Sequence, residues 1–160
     1  MCKAPHQKPL RDRLTGTERL FSDTGYDHAD FIVLQMARAF FHSFACPNSQ
    51  GWMLAQDMAG NPSLDWDGPG VMVKTFRTIR SMQLARKSEF RFSNPTCHHC
   101  AQVLTAQERQ LMGTIVELRR GRRDRAEAHA LILCEGNGIE SYLEDASALA
   151  DAMPKLMALT

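Results

Sequence analysis

The chain lacks any apolar run near the roughly 18 residues needed to cross a bilayer, so no membrane-spanning helix is expected. It lacks the alternation of β-branched and polar residues that marks strands. Phe90-Arg91-Phe92 is the one short candidate, and it cannot found a sheet. There is no glycine-rich phosphate loop, and no Ser/His/Asp set or carboxylate pair can be assembled, so no catalytic machinery is visible. Internal repeats and low-complexity tracts are missing too. The opening residues, Met1-Cys2-Lys3-Ala4-Pro5-His6, hold no apolar stretch of a secretory signal, and the expected compartment is the cytoplasm. Five cysteines, an odd count, suit thiols or metal ligands in a reducing compartment better than a disulfide framework.

What is present is an ordinary globular composition. With 160 residues, 44% of them hydrophobic, the chain can bury a core without a metal or disulfide staple. Residues 1–26, carrying Pro5, Pro9, Gly16 and Gly25, read as an irregular N-terminal arm. Residues 27–160 read as one compact all-α domain of five or six helices.

The first helix spans 27–45, with Asp27 as N-cap and Asp30 three residues on. Its polar residues Gln35, Arg38 and His42 form one narrow stripe on an otherwise apolar cylinder, which places this helix in the core. Ser49 can cap a short helix to Met58, followed by a turn-rich loop over 61–70. A long helix is expected over 71–89, with Met72, Phe76, Ile79 and Met82 buried and Val73 and Leu84 flanking them. Lys74, Arg77, Arg80 and Lys87 share much of its other face. Thr105 and Glu108 make a capping box for a helix with Leu111, Met112, Ile115 and Leu118 inside and Gly121 at its end. Another helix is expected over 122–135. Asn137 with Glu140 repeats the capping pattern for a last helix whose seam runs Ile139, Tyr142, Leu143, Ala146, Leu149, Ala150 and Met153.

Two features point to chemistry. Cys97-His98-His99-Cys100 packs four soft ligands into one turn after Pro95. A Cys-x-x-Cys pair is half of a tetrahedral zinc site. The usual second pair is absent nearby, which leaves His98, His99 and the more distant Cys46 and Cys134 to complete it. Zinc is therefore the expected cofactor, with an iron–sulfur cluster on four thiolates ranked below it. Thiol–disulfide exchange is the redox alternative, since histidine between two cysteines lowers a thiol pKa. Incidental thiols are the plainest reading.

The second feature is charge. The formal net charge is +1, yet residues 71–125 hold twelve Lys/Arg against four acids, a local +8, and the remainder of the chain carries −7. Within that block Arg119, Arg120, Arg122, Arg123 and Arg125 crowd seven positions, and arginine forks match phosphate or carboxylate geometry. The last helix carries Glu140, Glu144, Asp145 and Asp151, with no basic residue before Lys155, and a DNA groove would repel it. The expectation is a small adaptor-like binding or regulatory protein with a zinc-stapled turn. Its basic face would meet a protein, a second copy or a nucleic acid, the first two slightly favoured. A thiol redox enzyme or sensor at Cys97 and Cys100, and a purely structural self-associating subunit, are the alternatives.

Overall fold

The computed structural model describes residues 14–156. Its elements in chain order are β1 (Arg19–Leu20), α1 (His28–Ala45), α2 (Trp52–Ala59), α3 (Gly68–Ala85), α4 (His98–Ala101), β2 (Val103–Leu104), α5 (Ala106–Arg119), α6 (Arg123–Leu133) and α7 (Ile139–Ala152). The all-α domain expected from the sequence is what is found, and the helix beyond the expected six is the single turn α4. The N-terminal arm falls partly outside the described residues. Its described part is tied down: β1 pairs antiparallel with β2, Arg19 opposite Leu104, and the Phe21 ring packs edge-on against Phe31. Local periodicity could not reveal that two-residue sheet, because it exists only where two distant segments meet.

Two of the three expected helix starts form capping boxes. Asp27 accepts the Asp30 amide while Asp30 accepts that of Asp27, and Thr105 and Glu108 repeat the exchange at α5. The core is built around α1 and α5. In α5, Leu111 through Glu117 are buried without interruption, so the narrow stripe read from the sequence understates how central this helix is. On α7 the expected seam is buried from Tyr142 to Met153.

Three expectations are corrected. Ser49 does not cap α2; it lies in a 3-10 turn, where its hydroxyl donates to the Cys46 carbonyl, and α2 starts after Gly51. A Cβ on Gly51 would sit 2.7 Å from the Ala39 carbonyl oxygen, so bare backbone is what lets this junction press onto α1. α3 starts at Gly68 rather than 71, because Asp67 accepts the Gly70 amide and Pro69 suits a first helical turn. It stops at Ala85 rather than 89. There Glu135 accepts the Lys87 and Ser88 amides and Arg86 donates to the Leu133 carbonyl, which draws the chain away to the end of α6. Asn137 does not cap α7; Gly138 occupies that position, and the Asn137 side-chain Nδ2 donates to the Glu135 carbonyl.

The expected α3 stripe is met in part: Ile79 and Met82 are buried as expected, whereas Phe76 is exposed and Met72 only half-buried. Val71, Thr75, Thr78, Ile79 and Met82 are buried, the threonines returning their hydroxyls to carbonyls one turn back. Phe76 and Val73 face outward. Apolar residues encircle too much of this helix for periodicity alone to choose the buried arc.

α5 and α6 pack closely because Gly113 leaves room for His129, whose Nδ1 lies 2.7 Å from Gln110 Oε1. A Cβ at position 113 would sit 2.7 Å from the imidazole. Gly113→Ala is expected to push that ring off Gln110 and to cost about 1–3 kcal/mol. A urea midpoint equal to that of the wild type would contradict it.

Candidate functional site

The cysteine turn is a compact cap. Cys97 is the N-cap of α4, and its Sγ accepts the Cys100 amide at 3.3 Å. Cys46, Cys100 and Cys134 are thiols, so Cys97 and Cys100 are not joined to each other. His98 and His99 are exposed, and as neighbours on a helical turn their side chains diverge by about 100°. Cys46 is exposed at the end of α1. Cys134 is fully buried, and burial pushes its thiol up to about 11, Arg86 opposing only in part. Among the described residues no group of three or more His, Cys, Asp or Glu is placed to hold a metal ion. Among the described residues, the six that the sequence nominates as ligands are not gathered into one donor set.

The arginine run is placed differently from a contact surface. Arg119 is buried. Its Nη1 donates to Asp27 Oδ1 at 3.0 Å and Asp30 Oδ1 at 2.5 Å, and its Nη2 donates to Asp27 Oδ2 and to the Pro154 carbonyl. Arg120 and Arg122 both reach Glu117, at 3.4 and 2.5 Å, and Arg123 pairs with Glu127 at 3.1 Å. Arg125 alone of the five is exposed without an ion pair among the described residues. Four of five guanidinium groups thus hold the fold's own carboxylates. The two Arg119 partners respond in opposite ways. Burial raises the Asp30 carboxyl to about 6 despite the guanidinium. Burial also pushes Asp27 upward, but hydrogen bonds from Arg119 and the Asp30 amide outweigh it and hold Asp27 below the usual range.

Arg38 and Glu108, both without solvent exposure, form the hub of the fold. Arg38 Nε donates to Glu108 Oε1 at 2.6 Å and Nη2 to Oε2 at 2.9 Å. The remaining N–H groups reach Gln35 Oε1 and the Ala101 and Val103 carbonyls. Glu108 also accepts the Ser93 and Thr105 amides. One residue therefore caps α5, neutralises α1 and anchors the link that carries the cysteine turn. The sequence signal was there, an arginine in the polar stripe of a core helix and a glutamate in a capping box. Nothing local joined the two, which lie 70 positions apart.

An unpaired basic surface lies on α3. Lys74, Arg77 and Arg80 form no ion pair among the described residues, and α3 contains no acid. Val73, Phe76 and Leu84 share the outward arc with Arg77 and Arg80, at 48, 38 and 74% exposure. Phe44, 43% exposed at the end of α1, sets its ring 6.2 Å from that of Phe76, which also meets Phe40 edge-on. Exposed aromatic and aliphatic side chains beside unpaired cations make a mixed patch of the kind that mediates contact with other macromolecules.

The cleft that separates α6 from α7 carries the opposite charge. It encloses about 520 Å³ and is walled by Glu127, Glu140 and Glu144, with Ile139 and Leu143 beneath and Arg123 at one side. Comparison with protein-family models, with curated proteins and with solved structures gives no significant match. No described helix is long and apolar enough to cross a membrane.

Proposed function

We propose that the protein is a binding module whose outward α3 face, continued onto Phe44, engages an acidic segment of a partner protein. The observation that carries this reading is the coincidence on one helix face of unpaired Arg77 and Arg80 with exposed Val73, Phe76 and Leu84. Arginine and aromatic side chains supply most of the energy at protein interfaces, and the cations select partners and speed encounter. Three cations with apolar residues between them suit a peptide better than a phosphate backbone, whose binders make about 6–10 phosphate contacts. The charge total agrees, because a dedicated nucleic-acid binder of this size carries a clear positive excess and this chain is +1. The basic face expected around residues 74–125 thus narrows to α3, since Arg119, Arg120, Arg122 and Arg123 serve internal pairs. A zinc-stapled turn forms no part of this reading, because no complete ligand set surrounds Cys97 and Cys100 among the described residues.

The test uses a designed amphipathic helical peptide, leucines on one side and glutamates flanking them, read by fluorescence anisotropy. Binding is expected to weaken with salt. Arg77→Glu with Arg80→Glu should cut it by at least about tenfold, one decade being about 1.4 kcal/mol. Phe76→Ala should weaken it with the salt slope unchanged. Tighter binding of a single-stranded DNA 20-mer than of the peptide, or no peptide binding at low salt, would overturn the reading.

A further inference from the structure

The acidic cleft and the basic face belong to two helices that pack directly on each other. α3 turns its buried arc toward α7, where Ser81 hydrogen-bonds Asp145, and its other side outward with Arg77, Arg80, Val73 and Phe76. On α7, Glu140, Glu144 and Asp151 recur at spacings of four and seven, one exposed stripe about a third of a turn from Asp145 and so on the flank away from α3. Glu140 and Glu144 of that stripe line the α6–α7 cleft. The molecule is therefore bipolar across the α3–α7 pair, with unpaired cations and apolar side chains on one side and carboxylates around Ile139 and Leu143 on the other.

Resting on the binding reading above, we infer that the occupant of the α3 face is a second copy of this chain, docked head to tail. The α3 face of one molecule seats in the α6–α7 cleft of the next. Phe76 and Val73 lie over the half-buried Ile139, while Arg77 and Arg80 meet Glu140 and Glu144. Complementarity on both sides carries the choice of occupant. The two surfaces are opposite in sign, unpaired Arg77 and Arg80 on α3 against Glu140 and Glu144 at the cleft, and each sets apolar side chains beside its charges. The contact joins unlike surfaces, so it propagates into chains, or into a ring where the rotation closes. Docking desolvates cations against carboxylates at the margins of an apolar contact, so assembly is salt-sensitive.

Sedimentation velocity of the whole chain over a range of concentrations and salt tests this. The wild type is expected to grow in mass with concentration at low salt and to return to monomer at high salt. Arg77→Glu/Arg80→Glu should be monomeric, with both surfaces negative, and Glu140→Lys/Glu144→Lys should be monomeric, with both positive. Mixing the two variants should restore assembly, because each face then meets a cleft of opposite sign. If a reversal variant fails to give the helical circular dichroism of the wild type, Arg77→Gln and Glu144→Gln replace it, and each should shift assembly to several-fold higher concentration. A wild type that stays monomeric at low salt, or variants that do not rescue each other, would overturn self-docking. The binding reading itself is tested apart from this. A monomeric protein that still binds the Leu/Glu peptide loses only the second copy as occupant, whereas one that binds neither loses both.

Discussion

Glu108→Leu is expected to lower folding stability by about 3–5 kcal/mol, the cost of leaving a buried charge without its counterion. That is a large share of the about 5–15 kcal/mol by which domains are stable. Arg38 and Glu108 have no exposure, so water cannot replace the lost partner. The substitution also removes the carboxylate that accepts the Ser93 and Thr105 amides, so the capping box and the 93–105 connection loosen with it. Arg38→Met should cost a similar amount, and the double variant Arg38→Met/Glu108→Leu should recover much of the loss, since an apolar pair leaves neither charge stranded. Urea titration of the four proteins reads the coupling directly. Additive losses would mean that the two side chains do not act as a pair.

Arg119→Met is expected to be nearly as damaging, and its cost should depend on pH. Asp30 titrates at about 6 in the folded protein against an ordinary value of 3.8, so the native state binds more protons between those values. The stability contributed by this carboxyl grows as pH falls through that window and is lost as pH rises through 6. Asp27 has the opposite sign: its lowered pKa gives stability above the ordinary value that disappears at lower pH. Without the guanidinium Asp30 titrates higher still. The variant should therefore lose about 3–5 kcal/mol near pH 7.5, where Asp30 is an uncompensated buried anion, and clearly less near pH 5, where it can hold a proton. Equal losses at the two pH values would show that Arg119 contributes through packing alone.

Sequence patterning made the helices legible and left their long-range partners hidden. Asp27 with Asp30 and Thr105 with Glu108 are local signals, and both caps stand where they were expected. The α7 seam was readable because its apolar positions keep one period over four turns. α3 was harder: Phe76 and Val73 fit a buried stripe as well as Val71 and Ile79 do, and only packing on α7 chose between the arcs. The arginine cluster was visible as composition, but Asp27, Asp30, Glu117 and Glu127 consume four of its charges, two of those acids some 90 positions away. The cysteine turn was visible as a motif, and its second half is not supplied by the described residues.

The two buried arginine clamps have a mechanical meaning. Arg119 holds the start of α1 from the end of α5, and Arg38 holds the start of α5 from the later half of α1. The paired helices are thus pinned at two points, eight residues or about 12 Å apart along α1. A slide of one turn, about 5.4 Å, would uncouple both pins at once. Shear between α1 and α5 is closed to this molecule as a mode of motion. The pair behaves as a keel, and any displacement that accompanies docking must come from α2, from the loop before α3, or from the segment that leads to α4.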